Sequence, residues 1–425
     1  MAADRTRAQP FNVRHDTGEE LDKQRIGFIY EKRFNEHHAI KLRNYYTWQQ
    51  FEAKLPIPGV FGSPGGWVEF NRLFMGGGAQ WTWSDTFAGH GNRFIAGFEI
   101  DDQDDDRTRY FNNDGSKGAL SLDQNENVTS YGIFLRDEFD LTDTVILSAG
   151  ARYDLVEYQV ADHFLSDGDD SLDKDFEDVS ASGGALWHAT DWASLYANVA
   201  TSFETPTTTQ LANPTGGGGF NASLQPTTSI QYEVGARGEI IPEVSYDLAV
   251  FHTEVSDELI GYISSGRAFF SNADTTRTGV EAQLILRPWQ GFRATFSYTW
   301  SDFEFDTLQS TDANICAITV CDGKRLPGVP MNRFYAEAVY YHPSGWYFGA
   351  DFEAVGDFHA DNENQVTVEG YQVANMRFGR TVTSGQWEIN PFVGVNNLFG
   401  TDYNSNIRIN ETRSRYFEPA PERNI

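Results

Sequence analysis

From Thr228 to Trp300 the side chains alternate between apolar and polar with a period of two. Ile230, Tyr232, Val234 and Ala236 fall on one face; Gln231, Glu233 and Arg237 fall on the other, with Gly235 between them. After a break at Ile241-Pro242-Glu243, Tyr246, Leu248 and Val250 alternate with Asp247, Ala249 and Phe251. Phe292, Ala294, Phe296, Tyr298 and Trp300 then alternate with Arg293, Thr295, Ser297 and Thr299. Successive strand side chains point to opposite faces. One face of each strand therefore meets something apolar and the other something polar.

These runs extend over roughly 10 to 14 residues, close to what a tilted strand needs to cross a bilayer. They come in pairs joined by short turns, and long polar loops separate the pairs. That asymmetry predicts an all-β chain folded as a transmembrane antiparallel β-barrel with a turn end and a loop end. A large soluble all-β protein, a propeller or a β-helix, is the competing reading; no blade-length repeat supports it.

Taken in order, residues 1 to 22 read as a polar loop. Strand pairs are expected at Gln24 to Phe34 with Ala39 to Phe51, Asn71 to Asp85 with Arg93 to Tyr110, and Val128 to Asp140 with Thr144 to Tyr158. Further pairs are Val179 to His188 with Trp192 to Ser202, Thr228 to Glu239 with Val244 to Val255, and Val280 to Leu286 with Gly291 to Phe303. Phe334 to Tyr341 with Trp346 to Val355 and Val366 to Phe378 with Trp387 to Leu398 complete about 16 strands. Lys54 to Trp67, with three Pro and four Gly, reads as a loop. So do the stretch after Tyr110 up to about Asn127, Glu204 to Pro226 and Asp306 to Pro330.

Composition sharpens this picture. Aromatic residues make up 14% of the 425 residues, while the mean hydropathy is polar at -0.48. A barrel accounts for both, because only alternate residues touch lipid and aromatic girdles mark its two rims. No apolar stretch is long enough for a membrane helix. The net charge of -29 argues against a nucleic-acid partner, which would call for a basic footprint. Much of the acid falls in expected loops, with clusters at Asp101-Asp102-Gln103-Asp104-Asp105-Asp106 and from Asp167 to Asp178. Either could hold a divalent cation or stand simply as solvated surface.

The two cysteines, Cys316 and Cys321, fall in one long loop. A disulfide there would pin a loop tip in an oxidising compartment; a metal pair is the rival, weakened by the absence of nearby His or further Cys. The amino terminus has no apolar signal core. No Ser-His-Asp set, zinc motif or phosphate loop stands out, so no catalysis, metal site or cofactor is expected.

Several stretches resemble TonB-dependent outer-membrane receptors. They are Thr201-Ser202-Phe203-Glu204-Thr205-Pro206-Thr207 followed by Asn221-Ala222-Ser223-Leu224-Gln225-Pro226, then Tyr232-Glu233-Val234-Gly235-Ala236-Arg237-Gly238. Asn272 to Glu281, Val395-Asn396-Asn397-Leu398-Phe399-Gly400 with Tyr403, and Tyr416 to Asn424 follow in the family's order. The resemblance implies part of a plugged barrel of about 22 strands. It also implies a TonB-type energy-coupling protein as partner, the lipid bilayer and lipopolysaccharide as surroundings, and a ferric siderophore or similar metal chelate as cargo. Haem, cobalamin and sugars are minority cargoes of the family.

This sequence departs from that pattern. It starts within the barrel, shows no recognisable plug, and stops inside what looks like one more strand. Residues 1–425 are therefore expected to be an incomplete barrel domain, truncated at both ends and not a competent transporter as written. Where haem receptors tend to carry Phe-Arg-Ala-Pro, this chain has Phe203-Glu204-Thr205-Pro206, and His15, His163 and His359 are isolated. Both features favour the siderophore. Ligand contacts are expected on long loops and on the luminal face at their bases, with Trp67, Tyr110, Arg267, Phe269 and Phe270 as candidates. For each aromatic the competing role is girdle or loop packing.

Overall fold

A computed structural model describes residues 10–56, 66–211, 220–221, 223–264, 267–308, 321–411 and 417–425, apart from the side chains of 10–11, 263–264 and 267–268. In chain order the first elements are α1 (Pro10–Arg14), β1 (Gly18–Arg33), β2 (His38–Lys54), β3 (Trp67–Phe87), β4 (His90–Asn113), β5 (Ser116–Asp140), β6 (Val145–Asp162) and β7 (Leu172–Thr190). Next come β8 (Ala193–Glu204), β9 (Thr227–Ile241), β10 (Val244–Ser264), β11 (Arg267–Leu286), β12 (Phe292–Leu308), β13 (Asn332–Tyr341) and β14 (Trp346–Val355). The remainder is shorter: β15 (Phe358–His359), β16 (Thr367–Val368), β17 (Tyr371–Arg380), β18 (Val382–Ser384), β19 (Trp387–Ile389), β20 (Phe392–Val395), β21 (Asn404–Ile407) and β22 (Phe417–Pro419).

Among the described residues, 16 strands form one sheet in chain order, β1 to β14, then β17 and β20. The chain divides into two compact units, Met1–Gly183 with Ala200–Ser229 and Ser256–Asn272, and Gly184–Val199 with Ile230–Val255 and Ala273–Ile425.

The register shows why these strands form. In the first unit Tyr30, Leu42, Ala79, Phe98, Ile133 and Tyr153 stand side by side across β1 to β6. All but Ala79 are exposed large apolar residues. One residue along, the row reads Ile29, Arg43, Gly78, Glu99, Gly132 and Asp154, which is mostly polar. In that polar layer Arg152 reaches Glu99 at 2.9 Å and Asp154 at 2.8 Å. A Cβ on Gly132 would sit 2.0 Å from the Arg152 guanidinium, so the glycine leaves room for the ion pair. The second unit repeats the division. Leu284, Phe296, Ala336, Phe352 and Ala374 share the apolar face, and Thr295, Glu337, Asp351 and Asn375 share the polar one.

The sheet departs from the expected boundaries where backbone pairing continues without an apolar period to mark it. The expected loop after Tyr110 is instead the continuation of β4 into β5, strands of 24 and 25 residues. Its turn is Asp114-Gly115 with φ of +52° and +86°, an Asp-Gly pair suited to a tight hairpin. The Asp101–Asp106 cluster, expected in a loop, lies within β4, inside the expected strand from Arg93 to Tyr110. Between Val255 and Val280, likewise, β10 and β11 continue as strands. In the β4–β5 hairpin, Asp, Asn, Thr and Ser residues carry no hydrophobic period, yet backbone pairing runs on to Asn113 and Ser116, with register shifts between Arg109 and Asn112. Residues expected in the first loop also include α1 and the start of β1. The expected strand from Val366 to Phe378 begins at Tyr371, because Thr367 and Val368 pair with β15. That from Trp387 to Leu398 breaks into β19 and β20. Cys321 is buried and disulfide-bonded, while Cys316 lies outside the described residues.

Candidate functional site

The polar face of the first unit carries its densest chemistry at the strand ends away from the tight β3–β4 turn. The register places Gln49, Arg72, Asp105, Glu126 and Val160 in one row. Two residues further along, Phe51, Phe70, Arg107 and Gln124 form the neighbouring row on the same face. Period-two alternation puts all these side chains on one side of the sheet.

Asp105 and Glu126 stand directly opposite each other and are 0% and 1% exposed. Two buried carboxylates in this position would repel, and each needs donors to exist as an ion. Arg72 supplies the first with a bidentate pair, Nε to Oδ1 at 2.7 Å and Nη2 to Oδ2 at 2.6 Å. Gln103 donates a third bond to Asp105 at 3.2 Å. Glu126 accepts from Gln124 Nε2 at 2.6 Å and from the Thr208 hydroxyl at 2.6 Å. Arg107 Nε lies 3.1 Å from Glu126 Oε1, an ion pair in distance though off the line of its N–H. Arg107 Nη1 also donates to the Thr209 hydroxyl at 3.0 Å.

Phe70 sits between the two guanidiniums, 5.0 Å from that of Arg72 and 5.4 Å from that of Arg107. It stacks on Phe51 with centroids 4.9 Å apart. The carboxylates thus orient two cations against an aromatic platform. Such a surface suits a planar, anionic organic ligand through stacking and charge-assisted hydrogen bonds.

Of the residues anticipated from sequence, Trp67 and Tyr110 are direct cross-strand partners. Their register, however, puts them on the face of Leu73 and Trp81, not on the polar one. There Trp67 donates to Glu69 at 2.9 Å, Lys54 lies 4.7 Å over its ring, and Lys117 lies 4.0 Å over Tyr110. Lys117 closes this cluster on Glu69 at 2.7 Å. Phe269 is buried against Tyr262. Phe270 packs on an apolar cluster of Tyr158, Phe176, Leu211 and Leu224. Arg267 opens β11, and its side chain lies outside the described ones. Sequence reading anticipated the residue types, Arg and aromatics, but missed Phe70, Arg72 and Arg107. The available signal was Phe70-Asn71-Arg72 alternating toward a strand end, opposite the acidic run of β4.

The chain matches the family described as TonB dependent receptor-like, beta-barrel, over residues 2–398. A catecholate siderophore receptor, Fiu of Escherichia coli, is 23% identical over 257 residues, covering 57% of this chain and 31% of that protein. The metal-pseudopaline receptor CntO of Pseudomonas aeruginosa is 23% identical over 291 residues, covering 65% of this chain and 38% of the relative. The chain therefore spans about a third of the length of the curated relatives it matches. Among solved structures, the siderophore receptor PiuA of Acinetobacter baumannii superposes with a TM-score of 0.78 at 15% identity, covering 96% of this chain and 64% of that one. The ferric citrate transporter FecA gives 0.78 at 16% identity, with coverages of 95% and 60%. The antiparallel sheet with one apolar and one polar face is the wall of a bacterial outer-membrane barrel, and the chain belongs to the TonB-dependent receptor β-barrel family.

Proposed function

We propose that the complete protein is an outer-membrane receptor that captures a ferric siderophore or a related metal chelate at its loop end. It releases the chelate inward when a TonB-type energy-coupling protein acts on it. The apolar rows face lipid, with lipopolysaccharide around the loop end, and the polar rows line the lumen. The observation that carries this reading is the Arg72–Phe70–Arg107 arrangement on the polar face of a wall of this family. Catecholate chelates are anionic and aromatic, and guanidinium groups held over a ring match both properties. The names of Fiu, CntO and FecA, which are receptors or transporters of chelated metals, support the same cargo class.

The test is energy-dependent uptake of a ferric catecholate by the complete protein in a receptor-deficient host under iron limitation. Restored uptake is expected. Failure to bind ferric catecholate and ferric citrate, together with binding of haem, would overturn the reading.

The same assignment fixes sidedness. The long connection between β6 and β7, which includes exposed Ser166, belongs outside the cell. The short β5–β6 connection, with exposed Asp143, belongs in the periplasm. With the native cysteines replaced, Ser166→Cys is expected to react with a membrane-impermeant thiol reagent on intact cells, and Asp143→Cys is not. The reverse pattern would invert the topology.

A further inference from the structure

Three of the stretches that carry the family resemblance converge on one place in the first unit. The connection from β8 to β9 has two described limbs, Thr205 to Leu211 and residues 220–225 without Ala222. The first limb makes a single helical turn, with the Gln210 and Leu211 amides donating to Thr207 O at 3.0 and 3.1 Å. The limbs are joined to each other by the Asn221 amide donating to Leu211 O at 2.6 Å.

Both limbs are fastened to the wall. Leu211 and Leu224 are fully buried against Tyr158 of β6 and Phe176 of β7, and Pro206 is buried as well. Tyr158 and Thr205 share a hydroxyl hydrogen bond of 2.7 Å. Lys174 of β7 donates to Leu224 O at 3.1 Å. At the far end Asn272 of β11 grips Gln225 by both backbone groups, accepting from its N–H at 2.9 Å and donating to its C=O at 3.0 Å. The same amide donates to Asp257 O at 2.7 Å. At the near end Thr208 donates to the buried Glu126, and Thr209 accepts from Arg107.

A loop that meets ligand directly exposes its side chains. Here the anchoring side chains are spent inward, and the polar anchors, Glu126 and Asn272, are themselves buried. We propose that the two limbs form a strap locked onto the polar face, that Glu126 positions it through Thr208, and that Asn272 closes its other end. The strap in turn sets the place of Arg107, which it shares with Glu126. Its consequence for chelate binding rests on the function proposed above; its existence as a locked element does not.

Hydrogen–deuterium exchange of the complete receptor in detergent tests both parts. Thr208→Val removes the donor to Glu126 while keeping the shape. It is expected to speed exchange of the Leu211 and Asn221 amides by about tenfold or more, the scale of a lost hydrogen bond to a charged acceptor. Exchange in β4, β5 and β6 should stay unchanged. Thr208→Ser should restore protection, and Asn272→Ala should loosen the Leu224 and Gln225 amides. Unchanged strap exchange in both Thr208→Val and Asn272→Ala would overturn the strap. So would faster exchange throughout β4 to β6, which would mark Thr208 as a general folding residue. Ferric catecholate affinity is read in parallel. Loosened amides with weakened affinity support the positioning role, and loosened amides with unchanged affinity overturn it. Absence of binding by the unaltered receptor would count against the proposed cargo, with the exchange data still deciding the strap.

Discussion

Replacing Ile133 by Arg is expected to cost the folded barrel about 2–4 kcal/mol, the penalty for a cation near the bilayer midplane on a lipid-facing position. Ile133 is 65% exposed and stands between Phe98 and Tyr153 in the apolar row, so its side chain meets lipid and little else. An arginine there must drag water or headgroups toward the hydrocarbon, or snorkel along the strand past Tyr131 or Leu135. The comparison that isolates the lipid term is Ser130→Arg. Ser130 is three residues away on the other face, beside Asp101 and Val156, where a new cation gains a carboxylate neighbour. Urea titration of folding into phosphatidylcholine vesicles measures both. Ile133→Arg should lose stability by the stated amount and Ser130→Arg by less than about 1 kcal/mol. Equal losses would mean that the apolar row does not face lipid.

The second large effect lies in the buried pair. Arg72→Ala is expected to cost about 3–5 kcal/mol, because it leaves a buried carboxylate with only Gln103 at 3.2 Å and Arg107 at 4.0 Å. Asp105 is fully buried, with 0% of its side chain exposed, whereas Arg72 keeps 26%. The opposite truncation, Asp105→Ala, should therefore cost distinctly less, since the freed guanidinium can turn toward solvent and keep its contact with Phe70. Removing the charges together, as Arg72→Met with Asp105→Leu, should recover most of the loss, as apolar replacements of buried ion pairs do. Denaturant midpoints of the unaltered protein, Arg72→Met, Asp105→Leu and the combined variant close a double-mutant cycle, with the two alanine variants read beside it. Near-equal costs for the two alanine variants, or a double variant no better than Arg72→Ala, would show that the buried carboxylate is not what makes the pair expensive to break.

Alternation was sufficient to establish strands, their two faces and the barrel class. Each residue's hydrophobicity reports directly on the medium at its own position, and period two is local to the strand. Ile230 to Ala236 and Phe292 to Trp300 show this. The polar hairpin of β4 and β5 escaped that reading, because its Asp, Asn, Thr and Ser residues pair through the backbone with no apolar medium to mark them. Its Asp114-Gly115 turn was the one local sign available.

The candidate surface around Arg72, Phe70 and Arg107 was beyond any local pattern. Asp105 is one of five aspartates between Asp101 and Asp106, and only the β3–β4 register singles it out by bringing Arg72 opposite. The same register carried Trp67 and Tyr110 to the apolar side, since a shift of one residue exchanges the faces. Thr208 and Glu126 are 82 residues apart, beyond the reach of any local period. Their meeting depends on which strands neighbour one another and where a connection folds back. The medium around each strand could thus be read from composition along it, whereas partners between strands came only with the tertiary structure, because register and chain return are set by the packing of the whole wall.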